Sequence, residues 1–252
     1  MSEIILTTLN ATYIHASLGL RYLYANLNEL QQVAEIKEFT IKTRALDIVE
    51  ELLETNPKII GFGVYIWNVI QTTALVKALK AQRPRITIVL GGPEVSHETD
   101  SQEVVQLSDF VISGWGDVSF PKLCRALLDG PQPLMKVIAG EQPPLDALAY
   151  PYNEYTDDDI AKRLLYVEAS RGCPFKCEFC LSSLDKTAWA FDLELFLGEL
   201  ETLYKRGARN FKFVDRTFNL NLRTSRAILD FFLERYRPGL FLHFEMIPDR
   251  LP

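Results

Sequence analysis

The sequence has little of what marks membrane, secreted or nucleic-acid-coating proteins. Its apolar runs fall well short of the roughly 20 residues that a membrane-spanning helix needs. Its first residues, MSEIILTT, lack the basic and long apolar stretches of a signal peptide. Basic residues are not in excess, since 27 Lys and Arg against 33 Asp and Glu give a net charge of −6 at pH 7. We expect a cytoplasmic protein with no membrane span and no nucleic-acid partner.

Cysteine is scarce, and its four positions are uneven. Cys124 stands alone among apolar residues of a predicted helix, whereas Cys173, Cys177 and Cys180 fall within eight residues. A content of 48% hydrophobic and 24% charged residues is typical of a globular protein, and it excludes a disulfide-dense miniprotein. In a reducing compartment, the cluster of three predicts a metal or redox site, and Cys124 a buried apolar position.

The first half of the chain alternates strands and helices. Residues 1–129 contain five βα repeats, with strands predicted at 3–8, 34–40, 59–65, 85–90 and 109–113. Near-continuous apolar strands that alternate with helices are typical of a parallel sheet covered on both faces. We therefore predict an α/β fold, with a Rossmann-like five-stranded parallel sheet in residues 1–129.

Distinctive residues follow four of these strands. Ligands bind at the carboxyl ends of the strands in open parallel sheets, and glycine there allows a close approach of the backbone. The alternative for each single glycine is that it only ends a strand. Taken together, the loops predict a binding edge that contains Asn10, Tyr13, Tyr65, Trp67, Gly91, Gly92, Glu94, Gly114 and Gly116.

The second half of the chain begins after a proline-rich stretch. Residues 130–162 contain PQP and a Pro143-Pro144 pair, and we predict a linker there. In residues 163–252 the βα pattern restarts, with strands at 164–169, 210–214 and 240–246 and helices at 192–205 and 224–235. Three βα units cannot close a barrel. We expect the N-terminal part of a partial (β/α) barrel, in a sequence that is a truncated piece of a longer chain.

The three clustered cysteines follow the first strand of this second half. They read Cys173-Pro-Phe-Lys-Cys177-Glu-Phe-Cys180, a C-x3-C-x2-C spacing. Three thiolates on one tight loop can bind three irons of a [4Fe–4S] cube and leave the fourth iron open. A zinc site and an electron-transfer cluster are the alternatives, although zinc sites commonly pair two C-x2-C knuckles and ferredoxin clusters use a fourth cysteine.

With its aromatic residue, Phe179, this motif resembles the signature of the radical S-adenosylmethionine (radical SAM) enzymes. The resemblance implies a [4Fe–4S] cluster on Cys173, Cys177 and Cys180, with SAM chelating the open iron and Phe179 near the adenine. It implies reductive cleavage of SAM, with electrons from a donor such as flavodoxin or ferredoxin. Asp215, at the end of the second barrel strand, would contribute to SAM binding; its alternative role is to cap the next helix.

The first half is similar to the cobalamin-binding domain found upstream of one radical SAM subgroup. The segment Asn10-x-x-Tyr13-x-His15, the Gly91-Gly92-Pro93-Glu94 turn and the Gly114-Trp115-Gly116-Asp117 loop carry this similarity. The cobalt-ligating Asp-x-His-x-x-Gly motif of the mutases is absent from the sequence. Since members of the subgroup commonly lack it, the similarity implies cobalamin bound without a histidine ligand, at the edge residues given above. A domain that serves only as a scaffold is the alternative.

These patterns lead to one functional hypothesis with two rivals. The hypothesis is a cobalamin-dependent radical SAM enzyme that acts on a small-molecule substrate by methyl transfer to an unactivated carbon. The first rival is a radical SAM protein whose B12-type domain is only a scaffold. The second is a non-catalytic iron–sulfur binding or regulatory module. The sequence identifies neither a catalytic residue nor the substrate.

Overall fold

The computed structural model describes residues 2–180 and 187–248 of the chain. The chain divides into two compact units, Met1–Pro144 and Leu145–Pro252. Within the described residues, we find no helix whose length and apolar character would let it cross a membrane.

The N-terminal unit is a parallel sheet with helices between its strands. The sheet order is β2-β1-β3-β4-β5-β6, and every neighbouring pair is parallel. The strands are β1 (Ile4–Asn10), β2 (Ala34–Thr40), β3 (Ile59–Gly63), β4 (Thr87–Gly91), β5 (Phe110–Ser113) and β6 (Val137–Ala139). The helices are α1 (Leu18–Ala25), α2 (Ala45–Leu53), α3 (Val69–Gln82), α4 (Glu103–Leu107) and α5 (Ser119–Asp129). The predicted α/β fold class is confirmed.

Both faces of this sheet are covered, which explains why its central strands read as continuous apolar runs. All seven residues of β1 are buried. Ile5 packs in a cluster with residues of α2 and α3 on one face, whereas Leu6 packs with residues of α1 and α5 on the other. Because successive side chains of a strand point to opposite faces, a strand covered on both sides must be apolar at nearly every position.

The sheet has six strands rather than the predicted five. The sixth, β6, lies inside the stretch 130–162 that we predicted as a linker, and it pairs Val137 with Val111 and Ile138 with Ile112 of β5. A three-residue, half-buried edge strand is too short to produce a periodic pattern. The same stretch contains α6 (Asp157–Lys162), where Thr156 accepts a hydrogen bond from the Asp159 backbone N–H as an N-cap.

The C-terminal unit contains a three-stranded parallel sheet and a short strand pair. The parallel sheet has the order β11-β10-β7, and β8 pairs antiparallel with β9. The remaining elements are β7 (Leu165–Val167), β8 (Ser170–Gly172), β9 (Ala188–Ala190), α7 (Leu193–Lys205), β10 (Asn210–Phe213), α8 (Leu222–Glu234) and β11 (Phe241–His243). Phe213 packs against Phe196 of α7 and Phe232 of α8, so rings fill the space between sheet and helices.

Two tyrosine hydroxyls line the outer edge of β7. The Tyr155 hydroxyl accepts from the Tyr166 backbone N–H at 3.1 Å and donates to the Tyr166 carbonyl at 2.7 Å. The Tyr152 hydroxyl likewise accepts from the Glu168 backbone N–H at 3.1 Å and donates to the Glu168 carbonyl at 3.2 Å. Side chains therefore satisfy the backbone groups that a neighbouring strand would otherwise pair.

Candidate functional site

The cysteine loop begins directly after β8. Gly172 has φ of +86°, and a Cβ atom there would lie 2.1 Å from the carbonyl oxygen of Thr187. Only glycine fits this close approach of two backbone segments. Gly172 thus fixes the point from which Cys173 starts the loop.

The three cysteines differ in exposure. Cys173 is buried, Cys180 is half-buried and Cys177 is exposed, while Phe179 is 93% exposed. The Cys180 backbone N–H donates to the Cys177 carbonyl at 3.0 Å, which folds this part of the loop into a turn. The donor set of three thiols fits an iron–sulfur group. In the part of the chain that the structure describes, no three His, Cys, Asp or Glu side chains are arranged as a metal site.

Asp215 binds the backbone that leads into this loop. It follows β10 and is buried, and its carboxylate accepts from the Ser170 hydroxyl at 2.6 Å and from the Ala169 N–H at 3.1 Å. Burial raises the pKa of Asp215, and these hydrogen bonds oppose the rise. The alternative that Asp215 caps the next helix is wrong, because Asn221 caps α8 and the turn at 218–220 has no side-chain cap.

Three further residues near the loop belong to no motif of their own. Thr217 is buried, with its hydroxyl oxygen 3.7 Å from the Cys173 sulfur. Glu168 and Arg171 form an ion pair at 2.6 Å across the β7–β8 connection. Sequence reasoning missed Thr217, although its place two residues after Asp215 puts it at the same strand end.

At the carboxyl edge of the N-terminal sheet, Asn68 joins the ends of β1 and β3. Its amide nitrogen donates to the Leu9 carbonyl at 3.1 Å and to the Gly63 carbonyl at 3.2 Å, and its oxygen accepts from the Tyr65 N–H at 2.8 Å. Asn68 is fully buried. It fixes the start of the loop that carries Tyr65 and Trp67, and no sequence signal identified it.

Apolar side chains are exposed at this edge. Trp67 stacks on Tyr65 with ring centroids 4.5 Å apart and planes within 8° of each other. Trp67 is 46% exposed and Tyr13, in the loop after β1, is 49% exposed. Burial raises the pKa of Tyr65, whose hydroxyl shares a hydrogen bond with Ser17. Exposed aromatic rings at a strand edge suit a large, flat ligand.

The predicted edge glycines differ in the space beside them. A Cβ atom at Gly91 would have its nearest neighbour 3.9 Å away, and one at Gly114, where φ is +87°, would meet nothing within 4 Å. At Gly92 φ is +108°, and a Cβ would lie 2.5 Å from the carbonyl oxygen of Val64. Gly114 therefore borders open space, and a side chain at Gly91 would meet only an ordinary contact, whereas Gly92 is required by contact with the protein's own backbone.

The remaining edge residues lie close to these glycines. Glu94 is half-buried in the 3₁₀ turn Pro93–Val95 after β4, and its N–H donates to the Val64 carbonyl at 3.4 Å. A Cβ at Gly116 would lie 3.0 Å from a methyl carbon of Leu23, so Gly116 faces α1. The Asn10 side chain is engaged within the first loop, where its amide donates to the His15 carbonyl at 2.9 Å.

Comparisons with known proteins match both halves of the chain. Residues 4–124 match the family model of the B12 binding domain. Over 237 residues, the chain is 28% identical to an uncharacterized methyltransferase of Pyrococcus horikoshii, covering 84% of this chain and 50% of that protein. Over 196 residues, it is 26% identical to the hopanoid C-3 methylase of Methylococcus capsulatus, covering 69% of this chain and 36% of that protein.

Solved structures of one methyltransferase share the fold. The radical S-adenosylmethionine methyltransferase TsrM from Kitasatospora setae, with cobalamin and a [4Fe-4S] cluster bound, superposes with a TM-score of 0.65 at 14% identity. That match covers 93% of this chain and 53% of TsrM. A second TsrM structure, with tryptophan substrate and a SAM analog bound, gives 0.64 at 15% identity. The resemblance predicted from the sequence is confirmed, and the chain spans half or less of the two curated relatives described above.

Proposed function

We propose, on the premise that this chain carries a B12 binding domain and shares the fold of a radical SAM methyltransferase, that it is part of a cobalamin-dependent radical SAM enzyme. The reaction would be methyl transfer to an unactivated carbon of a small molecule. One observation carries the proposal: Cys173, Cys177 and Cys180 follow the first strands of a parallel β/α unit, in a chain whose first half matches the B12 binding domain.

In this proposal the three cysteines hold a [4Fe–4S] cluster. The bound cluster supplies an electron for the reductive cleavage of SAM, and a flavodoxin or ferredoxin replenishes it. Asp215 binds Ala169 and Ser170, so the backbone from which the cysteine loop starts is held in place. Phe179 has the exposed ring needed to cover the adenine of SAM.

The edge of the N-terminal sheet would bind cobalamin. Tyr13 and Trp67 offer exposed aromatic rings, and Tyr65 supports Trp67 through their stack. Gly114 borders open space, and the absence of a side chain at Gly91 leaves further room for the corrin or its amides. Asn10, Gly92, Glu94 and Gly116 shape the loops around that space. Bound cobalamin supplies a methyl carrier, and because the Asp-x-His-x-x-Gly motif is absent, it would bind without a histidine from that motif.

Methyl transfer is preferred because two relatives are named as methyltransferases or methylases, and the structural neighbour is also a methyltransferase. These proteins are similar to the chain along most of its length. Tryptophan is the substrate named for TsrM, and a small molecule is the substrate class we propose here.

Anaerobic reconstitution of the full-length protein tests the proposal. Purified protein is supplied with iron, sulfide, SAM, cobalamin and dithionite, and a variant with all three cluster cysteines replaced by Ala serves as the control. We expect bound iron, retained cobalamin, and 5′-deoxyadenosine and S-adenosylhomocysteine that the control does not form. Stoichiometric zinc without iron would overturn the cluster. Iron and SAM products without retained cobalamin would favour the scaffold, and bound cofactors without SAM products would favour a non-catalytic module.

A further inference from the structure

A buried ion pair lies beneath the first loop of the N-terminal unit. Arg21 of α1 and Glu38 of β2 approach to 2.9 Å between a guanidinium nitrogen and a carboxylate oxygen. Their side chains are only 4% and 6% exposed. Neither residue belongs to a motif in the sequence, and neither contributes an exposed surface to the edge described above.

The Glu38 carboxylate holds both ends of the loop between β1 and α1. Its second oxygen accepts from the Asn10 side-chain amide at 3.0 Å and from the Ser17 backbone N–H at 2.6 Å. Arg21 makes a third hydrogen bond to the loop, in which its other terminal nitrogen donates to the Ser17 carbonyl at 2.9 Å. The start of the loop at Asn10 and its end at Ser17 are therefore bound to one carboxylate.

Stability alone does not account for such a pair. Removing two charges from water costs free energy, and well-packed apolar residues of similar size often stabilise a protein as well or better. Here the two charges make hydrogen bonds to the loop. The Glu38 carboxylate binds Asn10 and Ser17, and the Arg21 guanidinium binds the Ser17 carbonyl. Charge-assisted hydrogen bonds of this kind define a position more strictly than apolar contacts do.

The same contacts reach the aromatic loop after β3. Ser17, held by Glu38 and Arg21, shares its side-chain hydrogen bond with the Tyr65 hydroxyl. Tyr65 carries the stacked ring of Trp67. Within the loop, Tyr13 and Ile14 are half exposed. One buried pair thus sets the position of exposed side chains in two loops of the proposed cobalamin edge.

We propose that Arg21 and Glu38 are positioning residues that hold the loop between β1 and α1 ready for cobalamin. The inference rests on the proposed cobalamin binding. A loop that is already ordered loses less conformational entropy when the ligand arrives, so the pair raises affinity without touching the ligand.

The test replaces the pair with apolar residues and measures two properties. The double variant Arg21→Met, Glu38→Leu keeps the volume while it removes the charges, so we expect it to fold. The matched control is Arg125→Met, Glu29→Gln, which removes an exposed ion pair of the same unit. Hydrogen exchange of residues 10–17 is measured without cobalamin, and the dissociation constant of hydroxocobalamin by equilibrium dialysis. We expect faster exchange and about tenfold weaker binding in the double variant, and neither change in the control.

Asn10→Ala provides a second variant that leaves the ion pair in place. It removes one of the two anchors of the loop, so exchange of residues 11–16 should rise and affinity should fall by a smaller factor. This variant decides the question if the double variant does not fold.

The two measurements separate failure of this proposal from failure of the proposed function. Unchanged exchange in a folded double variant would show that the pair does not hold the loop. Faster exchange with an unchanged dissociation constant would show that loop order does not serve binding. Wild-type protein that retains no cobalamin would overturn the proposed function and the binding half of this proposal, while exchange would still decide whether the pair holds the loop.

Discussion

The Ser170 hydroxyl donates a 2.6 Å hydrogen bond to the buried carboxylate of Asp215. The two residues are 45 positions apart, at the start of β8 and just after β10. This bond, with the one from the Ala169 N–H, ties the entrance of the cysteine loop to the neighbouring strand end. The position of the backbone at the entrance of the cysteine loop therefore depends on Asp215, which lies outside the cysteine motif.

Replacement of Asp215 by Ala should destabilise the backbone at the entrance of the cysteine loop. The buried Ala169 N–H would lose its partner, and an unsatisfied buried donor costs about 1–3 kcal/mol. We expect a lower urea midpoint and less retained iron after anaerobic reconstitution. Asp230→Ala, at an exposed position on α8, is the matched control. Equal iron retention in the two variants would contradict the role given to Asp215.

The stability difference between wild type and Asp215→Asn should depend on pH. Burial raises the folded-state pKa of Asp215 above its usual 3.8. Its stabilising contribution is therefore complete below the unfolded pKa and is lost as pH rises through the folded pKa. As pH rises from the usual carboxyl pKa through the raised folded-state pKa, the wild type should lose free energy of unfolding relative to the variant. Urea titrations of the apoprotein measure this, and a difference that stays constant over that range would contradict it.

Single Cys-to-Ala variants at positions 173, 177 and 180 should each lose the iron–sulfur chromophore. A cubane needs all three thiolates, so we expect iron to fall from about four per chain to near zero. Cys124→Ala is the control, because Cys124 is buried in α5 and burial raises its pKa to about 12. Loss of iron in the Cys124 variant, or its retention in any of the other three, would contradict the assignment.

Gly91→Trp should block cobalamin binding while the protein stays folded. A Cβ at Gly91 would have its nearest neighbour, the Ile112 carbonyl oxygen, 3.9 Å away, so a side chain fits there without collision and an indole would occupy the room that the ligand needs. Gly92→Trp is a poorer probe, because its Cβ would collide with the Val64 carbonyl and its φ is positive. Equilibrium dialysis together with a thermal melt distinguishes the two variants. Wild-type affinity in folded Gly91→Trp protein would remove Gly91 from the site.

Trp67→Ala should weaken cobalamin binding at little cost to stability. Trp67 is nearly half exposed, so its removal opens no cavity in the core. We expect the dissociation constant to rise by about tenfold or less, because one ring contributes only part of the contact. Leu134→Ala, at a fully exposed position outside the proposed edge, is the control. An identical dissociation constant in both variants would contradict a role for the Tyr65–Trp67 stack.

The sequence predicts those features whose determinants lie close together along the chain. Strands β1, β3, β4 and β5 could be predicted because burial on both faces makes them nearly continuous apolar runs. Strand β2 could be predicted from its alternating pattern, and the cysteine motif because its ligands are close in sequence. Strand β6 could not, since three half-buried residues form no periodicity.

Residues whose role depends on distant partners were also missed. Asn68 acts through Leu9, 59 positions away, and Arg21 pairs with Glu38 from another element. A charged residue in a strand ordinarily indicates an exposed face, and only the fold shows that Glu38 is buried.

The tyrosine hydroxyls on β7 have a consequence for how the C-terminal sheet can grow. Tyr152 and Tyr155 occupy both the donor and the acceptor of Glu168 and Tyr166, so an incoming strand would have to displace four hydrogen bonds before making its own. That side is closed to strand addition, including addition by a second copy of the chain. Among the described residues of this unit, a further strand can therefore pair with the three-stranded sheet only beside β11, because Tyr152 and Tyr155 block the edge at β7.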